Sequence, residues 1–217
     1  MTGYFSKIGR DIENLDIDDS LKILKSSGFL PLSDYVPVPD LFEFVKEISF
    51  YNSEMGLFLC SNFSLSLLMG YPQKLFSANF SADSFIFPFA HLASDLAFSS
   101  KDGYTYLFES SVSGFIFFET LALRLYKIHD FGIKKRAYLT IKNEDFLTLF
   151  YLFIIAYILG VVGKSSEKAL LYANERIQGG RPISTYFPIS DKIARMREFL
   201  EIVSNAGTNI SLKIDEI

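Results

Sequence analysis

The sequence contains no tryptophan, one cysteine and only two histidines among its 217 residues. The single cysteine, Cys60, cannot form an intrachain disulfide, which indicates a reducing compartment. Neither His91 nor His129 stands in a pattern that would activate this thiol, so we predict ordinary polar histidines and no cysteine nucleophile. Lysine and arginine number 21 against 25 aspartates and glutamates, a net charge of -4. Without a basic excess to neutralise a phosphate backbone, nucleic acid is excluded as the main partner.

Short catalytic motifs are absent as well. The chain has no GxGxxG after a strand, no Walker loop, no CxxC, no HExxH and no GxSxG. The acidic stretch "DIENLDIDD", residues 11 to 19, lacks the glycine and the distal glutamate of a calcium loop, and it is typical of a solvated helix start. We therefore predict no metal site and assign no catalytic residue.

One apolar run raises the question of a membrane. The N-terminus lacks a basic segment followed by an apolar one, so we expect no signal peptide and a cytoplasmic protein. Residues 146 to 163, "FLTLFYLFIIAYILGVVG", nevertheless carry no charge over eighteen positions, the length at which a membrane span becomes possible. A long helix buried among other helices has the same pattern, so periodicity leaves both interpretations open.

The hydrophobic period changes twice along the chain. Residues 1 to 77 show helical spacing, residues 78 to 143 show short aromatic and alternating segments typical of strands, and residues 144 to 217 return to helical spacing. We predict an α+β fold: N-terminal helices, a small antiparallel β region and long C-terminal helices. Asp40 and Ser190 are predicted to cap helices, Gly207 to end the last one, and "TNISLKIDEI" to form a polar tail.

The most specific stretch is "ALLYANERIQGGRPI", residues 169 to 183, in which two glycines stand between Arg176 and Arg181. From the residues alone, the glycines end a helix and both arginines are solvated. The longer segment 169 to 196 resembles acyl-CoA dehydrogenases, where a long helix ends in Tyr-Ala-x-x-Arg-x-Gln-Phe/Gly-Gly-x-Pro-Ile. "LKSSGFLPL" and "GYPQK" are similar to two earlier family segments, and the order of regions agrees.

The resemblance implies a fold, a cofactor and a partner. In the family, the helix that precedes this arginine is buried in a helical bundle and at subunit contacts, so we expect no membrane span. The matching residues contact the diphosphate and adenosine of FAD in a neighbouring subunit, which makes Arg176, Gln178, Gly179 and Gly180 the candidate cofactor-binding residues. A guanidinium pairs with phosphate, and glycine lets a ligand approach the backbone closely.

The departures from the family are as informative as the matches. Family members carry a catalytic glutamate in later helices, whereas Glu216 is the one glutamate after residue 206 and falls in the predicted polar tail. The family's Thr-Glu-x-x-x-Gly-Ser-Asp loop has no counterpart. "FIFPFAHLASD" stands in its place, and only Ser94 and Asp95 weakly resemble the end of that loop. Phe187 occupies the position of an expected glutamine.

These departures set the functional expectation. We expect an acyl-CoA dehydrogenase-like subunit without its own catalytic base, an oxidoreductase acting on CH-CH bonds of acyl-CoA thioesters only when a partner completes it. The alternative is a non-enzymatic structural or interaction protein without flavin. An incomplete bundle would leave residues 146 to 163 and "IARMREFLEIV" partly uncovered, so we expect an obligate oligomer with itself or with an acyl-CoA dehydrogenase-like chain.

Overall fold

The structure, a computed structural model, describes residues 2–32, 34–79, 86–109, 115–120, 123–128 and 137–216. Helices precede and follow a β region, which confirms the predicted α+β order. The helices are α1 (Thr2–Ile12), α2 (Ile17–Ser26), α3 (Val38–Tyr51), α4 (Ser53–Leu68), α5 (Asn143–Glu175) and α6 (Phe187–Asp215). The division into regions at residues 77 and 143 stays a prediction.

The β region forms two small sheets. One has the strand order β1-β3-β4-β7, built from β1 (Phe76–Ala78), β3 (Asp95–Ser99), β4 (Tyr104–Glu109) and β7 (Leu139–Lys142). The other has the order β2-β6-β5, built from β2 (Ile86–Pro88), β6 (Leu123–Ile128) and β5 (Phe115–Thr120). The Asp102-Gly103 turn joins β3 to β4, with Gly103 at φ +91°.

One strand pair corrects the prediction of a wholly antiparallel region. β1 runs parallel to β3, with Phe76 opposite Asp95 and Ala78 opposite Ala97. The physical reason is the path of the chain, which leaves the first sheet after β1 and forms β2 in the second sheet before it returns. Two neighbouring strands joined by such an excursion can run parallel, whereas strands joined by a tight hairpin cannot.

Helix α5 lies at the centre of the helical core. It packs against α3, α4 and α6, and Phe146, Phe153 and Ala156 are fully buried. Within the described ranges, it is the one helix long and apolar enough to cross a membrane by length and composition. A close approach to α3 occurs at Gly160, where an added Cβ would lie 2.2 Å from the carbonyl oxygen of Lys46. One side of α5 therefore packs against other helices, as a helix in the core of a bundle does.

The two ends of α6 differ from prediction. The helix begins at Phe187 with Tyr186 as its N-cap, and Ser190 lies inside the first turn rather than capping it. It continues through Gly207 to Asp215, so residues 208 to 215 of the predicted polar tail are helical and Glu216 follows as the C-cap. An added Cβ on Gly207 would lie 2.4 Å from Cζ of Phe42. This glycine marks a close contact between α6 and α3 instead of a helix end.

The end of α6 also explains an error at the start of α3. That helix begins at Val38 after Pro37, three residues earlier than predicted, and Asp40 is within its first turn. The carboxylate of Asp215 accepts hydrogen bonds from the Val38 amide at 2.9 Å and from the Tyr35 hydroxyl at 2.8 Å. A side chain 177 residues away along the chain thus supplies the cap that Pro37 cannot.

Candidate functional site

The four predicted cofactor-binding residues lie together on a short hairpin after α5. The helix ends at Glu175, and β8 (Ile177–Gln178) pairs with β9 (Arg181–Pro182) so that Gln178 stands opposite Arg181. The glycines form the turn instead of ending the helix, with φ +59° at Gly179 and +80° at Gly180. A two-residue hairpin turn with both φ values positive strongly favours glycine.

The base of this hairpin is closed by the backbone. The Arg176 amide donates to the carbonyl of Tyr172 at 2.9 Å, and the Ile183 amide donates to the carbonyl of Arg176 at 2.9 Å. A short 3-10 turn, Ile183–Thr185, then leads into α6. Both the amide and the carbonyl of Arg176 are therefore held by backbone hydrogen bonds, while its side chain is exposed.

The two arginines of the hairpin have different surroundings. The guanidinium of Arg181 lies over the ring of Tyr186, 4.4 Å from its centroid. Arg176 is exposed, and within the described part of the chain it makes no ion pair. A cation without a carboxylate partner remains available to an anionic ligand.

The glycine turn adds backbone donors to these cations. Across the described residues, no backbone hydrogen bond uses the amide of Gly179 or of Gly180 as donor. Nothing lies within 4 Å of a Cβ built on Gly180, so one side of the turn is open. Consecutive free amides in such a turn form a concave donor set that suits an anion. The hairpin can therefore offer main-chain and guanidinium donors to one phosphate-like group.

Large apolar side chains surround the hairpin at the same end of the molecule. Leu171 and Tyr172 on the last turns of α5 are more than half exposed, as is Ile177 in β8. Phe187, which stands where the resemblance calls for a glutamine, is 78% exposed. An exposed group of this kind is typical of a surface that another molecule covers.

A second polar cluster is centred on Asp95, a position whose resemblance to the family's loop is weak. Asp95 is 1% exposed, and its Oδ2 lies 2.7 Å from the Lys74 ammonium and accepts a 2.7 Å hydrogen bond from the Tyr138 hydroxyl. The Leu75 carbonyl accepts from the amides of both Ser94 and Asp95. The pKa of Tyr138 is raised above its ordinary value, first by burial and then by the bond to Asp95. This cluster joins three segments of the β region.

Sequence patterns missed this cluster because its members are far apart along the chain. Lys74 belongs to the family-like segment "GYPQK" and Tyr138 to the predicted β region, and no sequence pattern connects the two residues. An aspartate at the start of an otherwise apolar strand was the available clue, since a buried carboxylate requires a partner. The contacts of this group are structural ones within the β region.

Other residues weighed from the sequence have ordinary surroundings. Cys60 is fully buried, its thiol donates to the Gly56 carbonyl at 3.3 Å, and burial raises its pKa. Nε2 of His91 lies 4.0 Å from a carboxylate oxygen of Asp18. The acidic stretch does begin a helix, because Asp16 caps α2 by accepting from the Asp19 amide. His129 lies outside the described residues.

Comparison with known proteins identifies the fold. No protein-family model and no curated protein matches the sequence. Among solved structures, an electron transferring flavoprotein of Acidaminococcus fermentans matches with a TM-score of 0.75 and 12% identity over 99% of this chain and 78% of that one. A FAD-dependent dehydrogenase matches with a TM-score of 0.74 and 11% identity over 99% and 77%. Butyryl-CoA dehydrogenase from Megasphaera elsdenii matches with a TM-score of 0.60 and 14% identity over 99% and 79%.

These matches confirm the predicted resemblance at the level of the fold. The chain has the fold of acyl-CoA dehydrogenase-like flavoproteins over nearly its whole length. Two of the matched proteins are described by their flavin, one as an electron transferring flavoprotein and one as a FAD-dependent dehydrogenase. At 11 to 14% identity the likeness carries the fold, and the function must be argued from the site.

Proposed function

We propose that this chain is a cytoplasmic subunit of an oligomeric acyl-CoA dehydrogenase-like flavoprotein that acts on acyl-CoA thioesters. In this proposal Arg176, Gln178, Gly179 and Gly180 contact the diphosphate and adenosine of FAD held across a subunit interface. The observation that carries the proposal is the hairpin itself. Within the described residues, it combines the Arg176 guanidinium, which makes no ion pair, with free turn amides at an exposed, apolar end of a flavoprotein fold.

The donor set suits the diphosphate of FAD. Arg176 can present two parallel N–H donors to phosphate oxygens, and the turn amides can add main-chain donors on the side that is open at Gly180. The residues fit the anionic part of the cofactor better than its ring system. Phe187 replaces the hydrogen bond of a glutamine by an apolar surface. We therefore assign this chain the diphosphate end of a shared site.

The redox chemistry requires groups beyond this hairpin. FAD, when bound, would supply the acceptor for a hydride from the β-carbon of an acyl thioester, and the reaction would also need a carboxylate to take the α-proton. We assign that carboxylate to the partner, because the resemblance matches no glutamate of this chain to the family's catalytic base. The chain alone is accordingly expected not to dehydrogenate acyl-CoA.

Exposed apolar side chains on α6 support the oligomer. Phe199, Ile202 and Ile210 project along one side of the helix and are 64%, 59% and 45% exposed. Tyr151 and Ile158 add a second exposed stripe on α5. Exposed rows of large apolar side chains are typical of surfaces that another chain covers, and covering them would stabilise an assembly by about 25 cal/mol for each Å² removed from water. The partner is a second copy or, in our preference, a separate acyl-CoA dehydrogenase-like chain.

The test is the flavin content of the purified complex. Arg176→Ala is expected to weaken FAD binding by about tenfold to a hundredfold, because a hydrogen bond to a charged group contributes about 1.5 to 3 kcal/mol. The matched control is Arg195→Ala on α6, which removes another exposed arginine, one that pairs with Asp191. The control is expected to keep wild-type flavin content, and both variants are expected to assemble normally.

Two outcomes would contradict the proposal. Equal flavin occupancy in the Arg176→Ala and Arg195→Ala complexes would remove Arg176 from the cofactor site. A wild-type complex that assembles without any flavin would favour the alternative, a structural or interaction protein with the same fold.

A further inference from the structure

The segment between the hairpin and α6 holds a tyrosine that contacts both strands of the hairpin. The 3-10 turn Ile183–Thr185 reverses the chain, and the Tyr186 amide donates to the Ile183 carbonyl at 3.1 Å. This places the Tyr186 side chain back against the glycine turn. Tyr186 is partly buried, whereas Phe187 beside it is largely exposed.

Tyr186 makes a separate contact with each strand. Its hydroxyl donates a 2.7 Å hydrogen bond to the Gln178 carbonyl in β8. Its ring lies under the Arg181 guanidinium in β9, with 4.4 Å between Cζ and the ring centroid. Stacking uses the flat face of the guanidinium and leaves the N–H donors along its edge directed outward.

The same hydroxyl also fills the space beside the turn. A Cβ built on Gly179 would lie 2.7 Å from the Tyr186 hydroxyl oxygen, closer than real Cβ atoms approach. The φ of +59° favours glycine at this position, and an added Cβ would also displace the Tyr186 hydroxyl. The two positions are coupled, because the side chain at residue 186 determines how much space is available for a Cβ at residue 179.

We infer that Tyr186 is the positioning residue of the anion-binding hairpin. It fixes the turn through Gln178 and aims the edge of Arg181, so that the hairpin is ordered before a diphosphate binds. The identity of the ligand, a diphosphate, rests on the proposed function. The ordering of the hairpin rests on the contacts of Tyr186 alone. Preorganised donors bind more tightly because less freedom is lost on binding.

The experiment compares Tyr186→Phe and Tyr186→Leu with the matched control Tyr104→Phe, which removes a hydroxyl from an exposed tyrosine of β4. Two quantities are measured on the assembled protein. The first is hydrogen–deuterium exchange of a peptide covering residues 176–183, and the second is the dissociation constant of FAD. Loss of one hydrogen bond in Tyr186→Phe is expected to weaken FAD by about fivefold and to speed exchange. Tyr186→Leu also loses the stacking and is expected to weaken FAD by a further two- to fivefold or so.

Partial rescue by phenylalanine distinguishes positioning from general packing. The order of affinity is expected to be tyrosine, then phenylalanine, then leucine, with Tyr104→Phe equal to wild type. Gly179→Ala supplies a second test when it is made both in wild type and in Tyr186→Phe. The strained φ affects both proteins, whereas the contact with the Tyr186 hydroxyl exists only in wild type. The effect of Gly179→Ala on exchange is expected to be about twofold or more smaller in Tyr186→Phe than in wild type.

The exchange measurement needs no flavin and therefore separates this inference from the proposed function. Unchanged exchange in Tyr186→Leu, or additive effects of Gly179→Ala and Tyr186→Phe, would overturn the ordering role. Faster exchange with unchanged FAD affinity would overturn the positioning role. A flavin-free wild type whose exchange depends on Tyr186 as expected would overturn the proposed function and leave the ordering role supported.

Discussion

Replacing Gly160 by alanine tests whether the long apolar helix is packed as the structure describes. A Cβ at this position would lie 2.2 Å from the Lys46 carbonyl oxygen, 2.6 Å from Cβ of Ser49 and 2.8 Å from the Phe50 amide nitrogen. Two of these atoms belong to the backbone of α3 and cannot move aside by a rotamer change. The added methyl group must therefore push α3 and α5 apart along their contact.

Gly163, one turn later on the same helix, is the matched control. A Cβ there would meet only the Phe50 ring, at 3.5 Å, which is ordinary van der Waals contact. Gly163→Ala is therefore expected to stabilise the fold by up to about 1 kcal/mol, the difference in helix propensity between glycine and alanine. Gly160→Ala gains the same propensity but loses about 2 to 3 kcal/mol to overpacking, for a net destabilisation of about 1 to 2 kcal/mol.

Urea unfolding at a fixed protein concentration, followed by far-UV circular dichroism, measures this difference. With an m-value of about 2 kcal/mol/M, the two midpoints are expected to shift in opposite directions and to differ by about 1 M. The m-value is expected to stay unchanged, because both variants keep the fold. If Gly160→Ala is as stable as Gly163→Ala, α3 and α5 do not approach each other at this point and the described packing is wrong.

Three further predictions use the same unfolding assay or a simple chemical probe. Asp215→Ala removes the cap of α3 and is expected to cost about 1 to 2 kcal/mol, whereas Glu216→Ala next to it is expected to cost less than about 0.5; equal costs would contradict the capping role of Asp215. The thiol of Cys60 is expected to react with a thiol reagent at least about a thousandfold more slowly in the native than in the unfolded protein, and fast native labelling would contradict its burial. Tyr138 has a raised pKa in the folded protein, so its contribution to stability is present below its ordinary pKa of 10.0 and is lost as the pH rises beyond it. The free energy of unfolding should therefore fall more steeply between about pH 9 and about pH 11 in wild type than in Tyr138→Phe, and equal slopes would contradict this coupling.

The sequence predicted what local patterns determine. Period changes located the helices and strands, and the Asp102-Gly103 signal located a hairpin that the structure contains. The error at the start of α3 has a long-range cause, because its cap is Asp215 near the other end of the chain. Gly207 was read as a helix end because glycine often ends helices, but here it admits the ring of Phe42. Such tertiary contacts leave no trace in a window of neighbouring residues.

The candidate site was also predictable from the sequence only in part. The resemblance pointed to the hairpin by its residues, and the structure brings those residues together in one turn. Tyr186 and its contacts were not predicted, because a tyrosine at the start of a helix gives no sign that its hydroxyl reaches eight residues back. The Asp95 cluster was missed for a related reason, since Lys74 and Tyr138 are 64 residues apart in the chain and meet only through folding.

The central claim, a flavin held at a subunit interface, is tested most directly by size-exclusion chromatography with light scattering and visible absorbance recorded on the same eluate. Arg176 and the apolar stripe of α6 together predict that flavin absorbance elutes with an assembly of at least two chains, each wild-type chain having a mass of 24.7 kDa. The predicted result is a coloured oligomer that loses its colour, but not its mass, in Arg176→Ala. A colourless species of 24.7 kDa at micromolar concentration would contradict both the shared cofactor and the oligomer.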